Sequence, residues 1–430
     1  MFWPNLTHNQ YGHITIGGVD CAALCGQYGT PLYVMDENAI KRRCREFLSA
    51  MKHCFADGRV AYACKAFCCK ELCRIASSEG LYLDIVSSGE LHTALAADFP
   101  PNRMILHGYN KPTETLVEAL KYGVGRIVVD SFEELQLLNQ LTEVKQTGAD
   151  ILLRITPGVD AHTHKAVLTG AEDSKFGFSL LNGDALKAVN AALDSPGINL
   201  HGLHCHIGSQ IQDTAPFEIA AQRMADFLLE VYLVSGTMLP ELNLGGGYAI
   251  PYCEEDVVPQ PEEYILRMSD VLNRSCNKNG LQMPSVTIEP GRSIVGPCGI
   301  TLYRAGCIKK MTNGRIYVAV DGGMTDNPRY ALYRARYTAE VANRMNEPKV
   351  LSVTLSGRCC ESGDLLGESI PLQQVAAGDI IAVLCTGAYN FSMASSYNRL
   401  PRPAVVMLED GRARLVVARQ RIEDMLCGDT

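Results

Sequence analysis

Eight short apolar runs recur between residues 60 and 291, with helix-like patterns between many of them. They are VAYACK (60–65), LYLDIVS (81–87), MILHG (104–108), RIVVDS (126–131), DILLRIT (150–156), LHGLHCHIG (200–208), ELNLGGG (241–247) and SVTIEPG (285–291). Continuous apolar strands that alternate with helices predict a parallel sheet buried on both faces. Eight such units over about 230 residues match the size of a (β/α)8 barrel. On this pattern alone the alternative is a doubly wound open sheet.

Helix-like segments separate several of these runs, over residues 88–97, 113–123 and 131–141. The third opens with Ser131 and Glu134 at the spacing of a capping box, which predicts a helix start.

The pattern changes after about residue 300, where strand-like runs follow one another without long helices between them. They are RIYVAV (315–320), KVLSVTL (349–355), DIIAVLC (379–385), AVVMLED (404–410) and RARLVVAR (412–419). Asp410-Gly411 between the last two predicts a hairpin turn. Residues 13–16 and 31–36 near the N-terminus are also strand-like. We therefore expect an α/β protein with two domains, a barrel over 38–298 and a discontinuous antiparallel β domain formed by 1–37 and 299–430.

Composition narrows the class of protein. Hydrophobic residues make up 47% and charged residues 20%, as in ordinary globular proteins. No apolar run reaches the ~18 to 20 residues needed to span a bilayer, and the N-terminus lacks the pattern of a secretory signal. The net charge of −8 argues against a large nucleic-acid-binding surface. We expect a cytoplasmic protein with neither nucleic-acid nor membrane partners.

Cysteine usage points to reduced thiols. The chain has 17 cysteines, and this odd number, the chain length and the missing export signal argue against a disulfide framework. Four of them cluster at Cys64, Cys68, Cys69 and Cys73, but their spacing is not C-x-x-C, and no second Cys/His pair lies at zinc-finger distance. The pattern favours free thiols over a metal site.

Polar and charged residues gather at the carboxyl ends of the predicted strands, where barrel enzymes place their active sites. These strand-end residues are Lys65, Asp84, Ser87, Ser88, His107, Asp130, Arg154, His204, His206, Gly245, Gly246, Gly247, Glu289, Gly291 and Arg292. A purely structural barrel does not require this concentration at one end.

The glycines after the last two predicted strands suggest a phosphate site. Backbone N–H groups of Gly245–Gly247 can approach an anion closely, and barrel enzymes often bind phosphate on these loops. Gly291 and Arg292 on the next strand add backbone access and positive charge. Three glycines alone would indicate a tight turn, but their position favours phosphate.

Lys65 extends the argument, because a lysine at the end of a buried strand is costly unless it is paired or reactive. Lys65, a phosphate site and the buried carboxylate of Glu289 together suggest pyridoxal phosphate, which Lys65 would attach as a Schiff base. Glu289 would keep the ring nitrogen protonated. His206 would lie flat against the ring. A core histidine bonded to backbone is the alternative for His206.

Several blocks of residues resemble one enzyme family. Tyr62-Ala-Cys-Lys65-Ala, His206-Ile-Gly-Ser209, Gly245-Gly-Gly247 and Glu289-Pro-Gly-Arg292-Ser resemble the alanine-racemase-fold, pyridoxal-phosphate amino-acid decarboxylases. Further blocks are Pro157-Gly-Val-Asp160-Ala-His162-Thr-His164, Ser174-Lys-Phe-Gly177, Asp321-Gly-Gly-Met-Thr-Asp326-Asn, Cys360-Glu361-Ser-Gly-Asp364 and Gly387-Ala-Tyr389. From about Thr30 to Val406 they resemble the diaminopimelate decarboxylases, which make L-lysine from meso-diaminopimelate.

The resemblance implies a role for each matching residue. Lys65 would carry the cofactor, His206 would stack on its ring, and Glu289 would hold the ring nitrogen. The phosphate region would be bound by Ser209, Gly245, Gly246, Gly247, Gly291, Arg292 and Tyr389. The substrate would be bound by Arg292, Arg329, Tyr333, Glu361 and Tyr389. Cys360 would donate the proton.

The family also implies an assembly, since Cys360 and Glu361 would come from the partner subunit of a homodimer with shared active sites. Arg329 and Glu361 have the pair of charges that a substrate with a second amino-acid end requires. Ornithine lacks that distal carboxylate, which argues against it as substrate. Asp84 would orient Lys65 or contact the ring, and an ordinary core carboxylate paired to a lysine is the equal alternative.

Four positions depart from the usual residues of the family, namely Phe67, Tyr109, Tyr330 and Asn390. None removes a group with an assigned chemical role, so the departures concern substrate fine-tuning. The pair His162 and His164 would suggest a metal, but no third ligand is in view and we interpret it as a structured loop. We predict no metal site.

Two other functions stay open on the sequence. One is the decarboxylation of another amino acid, such as ornithine, arginine or carboxynorspermidine. The other is a non-catalytic regulatory paralogue, which would be expected to lose the lysine or the proton donor. A racemase with this barrel is disfavoured, because the Cys360-Glu361 block fits decarboxylation.

Overall fold

The computed structural model describes Trp3 and residues 5–160 and 174–430. Contacts divide the chain into two compact units. The β unit comprises Met1–Arg43, Ile250–Asp256 and Arg292–Thr430, and the barrel unit comprises Cys44–Ala249 and Val257–Gly291. The expected domain limits, 38–298 against 1–37 with 299–430, stay a prediction. His162 and His164 lie outside the described residues.

The N-terminal segment of the β unit begins with a small antiparallel sheet, followed by a helix, a strand and a second helix. The elements are β1 (Leu6–His8), β2 (Ile14–Ile16), β3 (Val19–Asp20), α1 (Cys21–Tyr28), β4 (Leu32–Asp36) and α2 (Glu37–Cys54), and α2 continues past Arg43 into the residues of the barrel unit. Asp20 caps α1, because its side chain accepts a hydrogen bond from the Ala22 backbone N–H at 2.7 Å.

Among its described residues the barrel unit has nine parallel strands, eight of which form a closed barrel. The strands are β5 (Gly58–Ala63), β6 (Tyr82–Ile85), β7 (Met104–Leu106), β8 (Arg126–Val129), β9 (Ala149–Thr156), β10 (Phe178–Ser179), β11 (Ile198–His204), β12 (Glu241–Asn243) and β13 (Ser285–Ile288). The barrel order is β5-β6-β7-β8-β9-β11-β12-β13, and β13 pairs with β5. This closure confirms the predicted (β/α)8 barrel over the open sheet, and β10 pairs with β9 outside the ring.

Helices follow most of the barrel strands. They are α3 (Lys70–Ser78), α4 (Ser88–Leu95), α5 (Thr113–Tyr122), α6 (Phe132–Lys145), α7 (Asp184–Leu193), α8 (Ala215–Ser235) and α9 (Pro261–Asn279). The hydroxyl of Ser131 accepts from the Glu134 backbone N–H at 3.2 Å and caps α6. The Glu134 carboxylate accepts instead from the buried Lys111 ammonium at 2.6 Å, so it serves an ion pair rather than the capping box.

The rest of the β unit is a mostly antiparallel sheet with short helices. Its elements are α10 (Arg292–Val295), β14 (Gly299–Lys310), β15 (Ile316–Val320), α11 (Arg329–Tyr333), β16 (Ala339–Val341), β17 (Lys349–Ser356), β18 (Leu365–Gln373), β19 (Ile380–Val383), β20 (Ala404–Glu409), β21 (Arg412–Val417) and α12 (Ile422–Leu426). The main order is β18-β17-β15-β14-β4-β20-β21, and β19 joins β14 to β16.

The position of β4 in this sheet confirms that the N-terminal segment belongs to the β domain. It pairs with β14 in the antiparallel sense and with β20 in the parallel sense. A second parallel pair, β15 with β17, also departs from a purely antiparallel sheet. Asp410 and Gly411 both have positive φ, 50° and 74°, and form the predicted hairpin turn between β20 and β21. Among the described helices, none has the length and hydropathy of a membrane span.

Candidate active site

Lys65 lies directly after β5, in a 3₁₀ turn formed by residues 64–66. Its ammonium donates to Asp84 Oδ2 at 2.9 Å. The Asp84 side chain is fully buried on β6, whereas the Lys65 side chain is 42% exposed. The carboxylate therefore fixes an amine that solutes can still reach. The other carboxylate oxygen of Asp84 has no hydrogen-bond partner among the described residues, and lies 3.9 Å from His107 Nε2.

Glu289 follows β13 and is buried. Its Oε1 accepts a hydrogen bond from Asn243 Nδ2 at 2.7 Å and lies 2.8 Å from His107 Nε2, and its Oε2 lies 3.3 Å from His204 Nε2. Burial by itself would raise the pKa of Glu289, but His107 and His204 outweigh it and hold that pKa well below its usual range. The site thus contains a carboxylate that stays ionised at neutral pH.

The glycine loop brings three strand ends together. Gly245 and Gly247 have φ of +68° and +118°, which favour glycine, and a Cβ at Gly246 would clash with the Glu289 carbonyl oxygen. The Gly245 N–H donates to Asn243 Oδ1 at 2.9 Å, and the Gly246 N–H donates to His206 Nδ1 at 3.2 Å. Part of the glycine requirement is therefore close packing, and two of the three amides position neighbouring side chains.

His206 is held as a neutral ring. Burial, followed by the positive charges of Lys65 and Arg154, lowers the pKa of His206 well below its usual range. Because Nδ1 accepts from Gly246, the proton of the neutral ring sits on Nε2. A neutral imidazole is a suitable flat surface for an aromatic ligand.

The loops that carry Ser209 and Gly291 meet the same strand ends. Gly247 O accepts from the Ile211 N–H at 2.9 Å, which places the loop holding Ser209 beside the glycine loop. A Cβ at Gly291 would come within 2.9 Å of the Ala63 Cβ, so Gly291 lets the end of β13 approach the start of the Lys65 turn.

Two arginines of the β unit converge on one tyrosine. Arg292 Nη1 and Arg329 Nη1 donate to the Tyr252 hydroxyl at 2.6 and 2.9 Å, and Arg329 also donates to the Tyr337 hydroxyl at 2.7 Å. The Arg292 guanidinium lies 4.6 Å from the ring centroid of Tyr389. Two guanidinium groups held this close together form a site suited to an anion.

Cys360 and Glu361 lie on an exposed turn between β17 and β18. The turn is held by the buried Asp364, which accepts from the Met324 and Cys359 backbone N–H groups, each at 2.6 Å. The Cys360 N–H donates to Asn398 Oδ1 at 2.9 Å. The turn is therefore braced, while the thiol and the Glu361 carboxylate face outwards.

The predicted site residues fall into two groups, one in each unit. The barrel unit holds Lys65, Asp84, His206, Ser209, Gly245, Gly246, Gly247, Glu289 and Gly291, and the β unit holds Arg292, Arg329, Tyr333, Cys360, Glu361 and Tyr389. In the barrel unit the contacts above connect Lys65 to Asp84 and the glycine loop to Glu289. In the β unit they connect Arg292 to Arg329 and to Tyr389, and half-buried Tyr333 ends α11.

Sequence reasoning missed Asn243, Tyr252 and Tyr337. Asn243 had a usable signal, since an amide inside the apolar run 241–247 needs a buried partner. No local pattern marks the two tyrosines. His107 and His204 stand at predicted strand ends, but no local pattern in the sequence indicates their contacts with Glu289.

The structure explains how one departure from the family pattern is accommodated. Asn390 has φ −87° and ψ −60°, a conformation open to residues with side chains, so the backbone accommodates asparagine there without strain. The left-handed conformation falls on Tyr389, whose φ is 64°. The Asn390 amide donates to the Thr386 carbonyl at 3.0 Å.

Comparison with known proteins identifies the family. Residues 37–296 match the pyridoxal binding domain of the pyridoxal-dependent decarboxylases. The diaminopimelate decarboxylase of Bacillus subtilis (strain 168) is 49% identical over 418 residues, which are 97% of this chain and 95% of that protein. The diaminopimelate decarboxylase of Bacillus methanolicus is 47% identical over 422 residues, covering 97% and 98%.

The chain belongs to the diaminopimelate decarboxylase family. A crystal structure of the diaminopimelate decarboxylase from M. jannaschii in complex with L-lysine superposes with a TM-score of 0.92 at 31% identity, covering 100% of this chain and 98% of that one. Membership confirms the family predicted from the sequence blocks, and with it an enzyme that uses pyridoxal phosphate.

The residues of the barrel unit fit that cofactor of the diaminopimelate decarboxylases. Lys65 offers an accessible amine, Glu289 an ionised carboxylate, and His206 a neutral ring. These are the groups needed to attach an aldehyde, to pair with a protonated ring nitrogen and to lie against a planar heterocycle.

Proposed function

We propose that this chain catalyses the pyridoxal-phosphate-dependent decarboxylation of meso-2,6-diaminopimelate to L-lysine and CO₂, the last step of lysine biosynthesis. The observation that carries the proposal is the buried Glu289 carboxylate, whose oxygens are contacted by three side chains in the unit that also presents Lys65. When bound, pyridoxal phosphate supplies an electron sink for the pair released from the Cα–carboxylate bond. A negative charge at Glu289 would keep the ring nitrogen of the bound cofactor protonated, and so would strengthen the electron sink.

The barrel residues bind and orient the cofactor. Lys65 would hold it covalently, and Asp84 aims the Lys65 amine through their 2.9 Å contact. His206 would cover one face of the cofactor ring. The phosphate region of the cofactor would be bound by the barrel residues Ser209, Gly245, Gly246, Gly247 and Gly291, together with Arg292 and Tyr389 of the β unit. Gly245 and Gly246 also position Asn243, which contacts Glu289, and His206, since their amides donate to these two side chains.

The β-unit residues bind the substrate and move the proton. Arg292 and Arg329, already braced by Tyr252, bind substrate carboxylate, with Tyr333 and Tyr389 beside them. Cys360 donates the proton to Cα after CO₂ leaves, and Glu361 binds the distal ammonium.

We further propose that Cys360 and Glu361 serve the active site of a partner subunit, so that the enzyme is a homodimer with shared sites. The turn that carries Cys360 and Glu361 is held in place by Asp364, yet both side chains are exposed. Their exposure supports this arrangement, because it leaves them accessible to the active site of another subunit. We place the enzyme in the cytoplasm, with neither nucleic-acid nor membrane partners.

A product assay tests the proposed reaction. Purified protein loaded with pyridoxal phosphate is given meso-diaminopimelate, ornithine, arginine or carboxynorspermidine, and lysine and CO₂ are measured. We expect equal amounts of lysine and CO₂ from meso-diaminopimelate, and far slower release of CO₂ from the other three. Comparable rates with ornithine or arginine would contradict the substrate. A protein that binds cofactor but decarboxylates none of them would be a regulatory paralogue.

A further inference from the structure

Three cysteines beside Lys65 bring their sulfur atoms together. The Sγ atoms of Cys64, Cys68 and Cys73 all lie within 4.8 Å of one another. Cys64 and Cys73 are buried, and Cys68 is half-buried. Cys68 is therefore the most accessible member of the cluster.

The three sulfur atoms converge from a defined backbone. Cys64 begins the 3₁₀ turn that carries Lys65, Cys68 lies in the loop that follows, and Cys73 is on α3. The Tyr62 hydroxyl donates to the Phe67 carbonyl at 2.8 Å, which holds the loop. The Cys73 N–H donates to the Cys69 carbonyl at 3.1 Å, which fixes the start of α3.

The spacing suits one soft cation. A metal–sulfur bond of about 2.3 Å places three thiolates around an ion roughly 4 Å apart. The observed limit of 4.8 Å requires the sulfur atoms to close by less than about 1 Å, a movement that small side-chain rotations supply. A set made of thiolates alone selects soft ions over Mg²⁺ or Ca²⁺, which prefer oxygen.

We propose that Cys64, Cys68 and Cys73 form a three-thiolate binding site for a single thiophilic d¹⁰ cation, the class that includes Cu⁺ and Zn²⁺. Cu⁺ is satisfied by three sulfur ligands, whereas Zn²⁺ would add a water as its fourth, on the side of Cys68. Binding releases the protons of the thiols. The bound ion ties the turn that carries Lys65 to α3. The decarboxylation reaction does not require it.

Metal titration of the full chain tests the site. Reduced, metal-free holoenzyme is titrated without oxygen with Cu⁺ against a chromophoric Cu⁺ chelator, and separately with Zn²⁺ against a chromophoric Zn²⁺ chelator. We expect one ion per chain after gel filtration, with about three sulfur neighbours by X-ray absorption. The arm in which the ion is held more tightly identifies the preferred cation.

Serine variants locate the ligands, and Cys69 provides a matched control. Cys68→Ser and Cys73→Ser should weaken binding by roughly a hundredfold or more, since even the loss of an outer-sphere partner costs about 10- to 100-fold. Cys69→Ser should bind like the wild type, because its sulfur is outside the group of three. The half-buried Cys68 is the position where a folded variant is most readily obtained, and circular dichroism checks the fold.

Thermal unfolding gives a second readout. The ion should raise the Tm of the wild type and of Cys69→Ser, but leave that of Cys68→Ser unchanged. Retention of neither ion by the reduced wild type would overturn the site. Equal losses in Cys69→Ser and Cys68→Ser would also overturn it, as would a disulfide within the cluster combined with no metal uptake after reduction.

Discussion

Two glutamates of this chain, one in each unit, have opposite surroundings. Glu289 in the barrel unit is buried, and Asn243, His107 and His204 contact its oxygens. Glu361 in the β unit is exposed, and its carboxylate accepts only a long hydrogen bond of 3.5 Å from the Gly363 N–H among those described. The contacts of Glu289 hold its carboxylate in one position inside the barrel unit, whereas the exposed carboxylate of Glu361 is accessible to a ligand.

The difference separates two parts of the proposed reaction. Burying a carboxylate costs several kcal/mol unless donors and charges offset it, so the barrel unit devotes three side chains to one permanent charge. The β unit instead devotes the buried Asp364 to bracing a turn, and leaves Cys360 and Glu361 exposed. In the proposed reaction, the residue that supports the electron sink is therefore fixed inside the barrel unit. Proton donation by Cys360 and recognition of the substrate by Glu361 instead depend on the substrate reaching exposed side chains.

The largest effect is expected at Lys65, in the barrel unit. Lys65→Ala removes the amine that holds the cofactor, so visible absorbance of the bound cofactor and activity should both fall, activity by about three orders of magnitude or more. Lys70→Ala, at an exposed position on α3, is the matched control and should behave as the wild type. If borohydride reduction fixes the cofactor to a different lysine, the assignment is wrong.

Glu289→Gln tests whether the buried negative charge of Glu289 is needed for turnover. The amide keeps the shape but loses the charge, so cofactor should remain bound while kcat falls about 10²- to 10³-fold, as for other lost electrostatic contacts in active sites. Glu133→Gln, exposed on α6, should leave kcat unchanged. Steady-state kinetics with the absorbance of the bound cofactor distinguish the two variants, and unchanged turnover in Glu289→Gln would remove its role.

Arg329→Ala probes the β unit. Loss of a charged hydrogen bond to substrate carboxylate should cost about 1.5 to 3 kcal/mol, which is roughly a 10- to 150-fold rise in KM, with the bound-cofactor spectrum intact. Arg336→Ala, whose side chain is 74% exposed in the same unit, is the control. Wild-type KM and kcat in Arg329→Ala would show that it binds no substrate.

The smallest effect is expected from Tyr337→Phe. This change removes one of the two hydroxyls that hold Arg329, the one at 2.7 Å, and leaves Tyr252 in place. The lost bond is charge-assisted, but Tyr337 holds Arg329 rather than the substrate, and Tyr252 still accepts from the same guanidinium, so KM should rise by only roughly two- to tenfold. A loss as large as that of Arg329→Ala would mean that Tyr337 itself contacts the substrate.

The fold was largely predictable because buried parallel strands leave continuous apolar runs in the sequence. All eight runs became barrel strands, and β4 joined the β domain as expected. The parallel pairing of β4 with β20 was not predictable, since no local pattern states which distant strand is the neighbour. The carboxyl end of the first barrel strand is predicted too late, because the predicted run continues to Lys65, whereas β5 ends at Ala63 and Lys65 lies in the following turn.

The site was predictable only as far as motifs are local. Lys65 and Glu289 lie in recognisable blocks, but the Asn243 contact with Glu289 spans 46 residues of chain and that of Tyr252 with Arg329 spans 77. The cysteine cluster shows the same limit. Its spacing fits no metal motif, yet a turn, a loop and a helix bring three sulfur atoms together.

The most direct test of the comparison mixes two inactive variants, Lys65→Ala and Cys360→Ala, by refolding or co-expression. Random pairing makes about half of the dimers mixed, each with one intact site of two, so about a quarter of wild-type activity should return. Mixing Cys360→Ala with Cys360→Ser controls for refolding and should restore nothing. If Cys360 acted in the active site of its own chain, activity would stay at the level of the single variants although mixed dimers are present. That result would contradict the proposal that Cys360 donates its proton in the active site of the partner subunit.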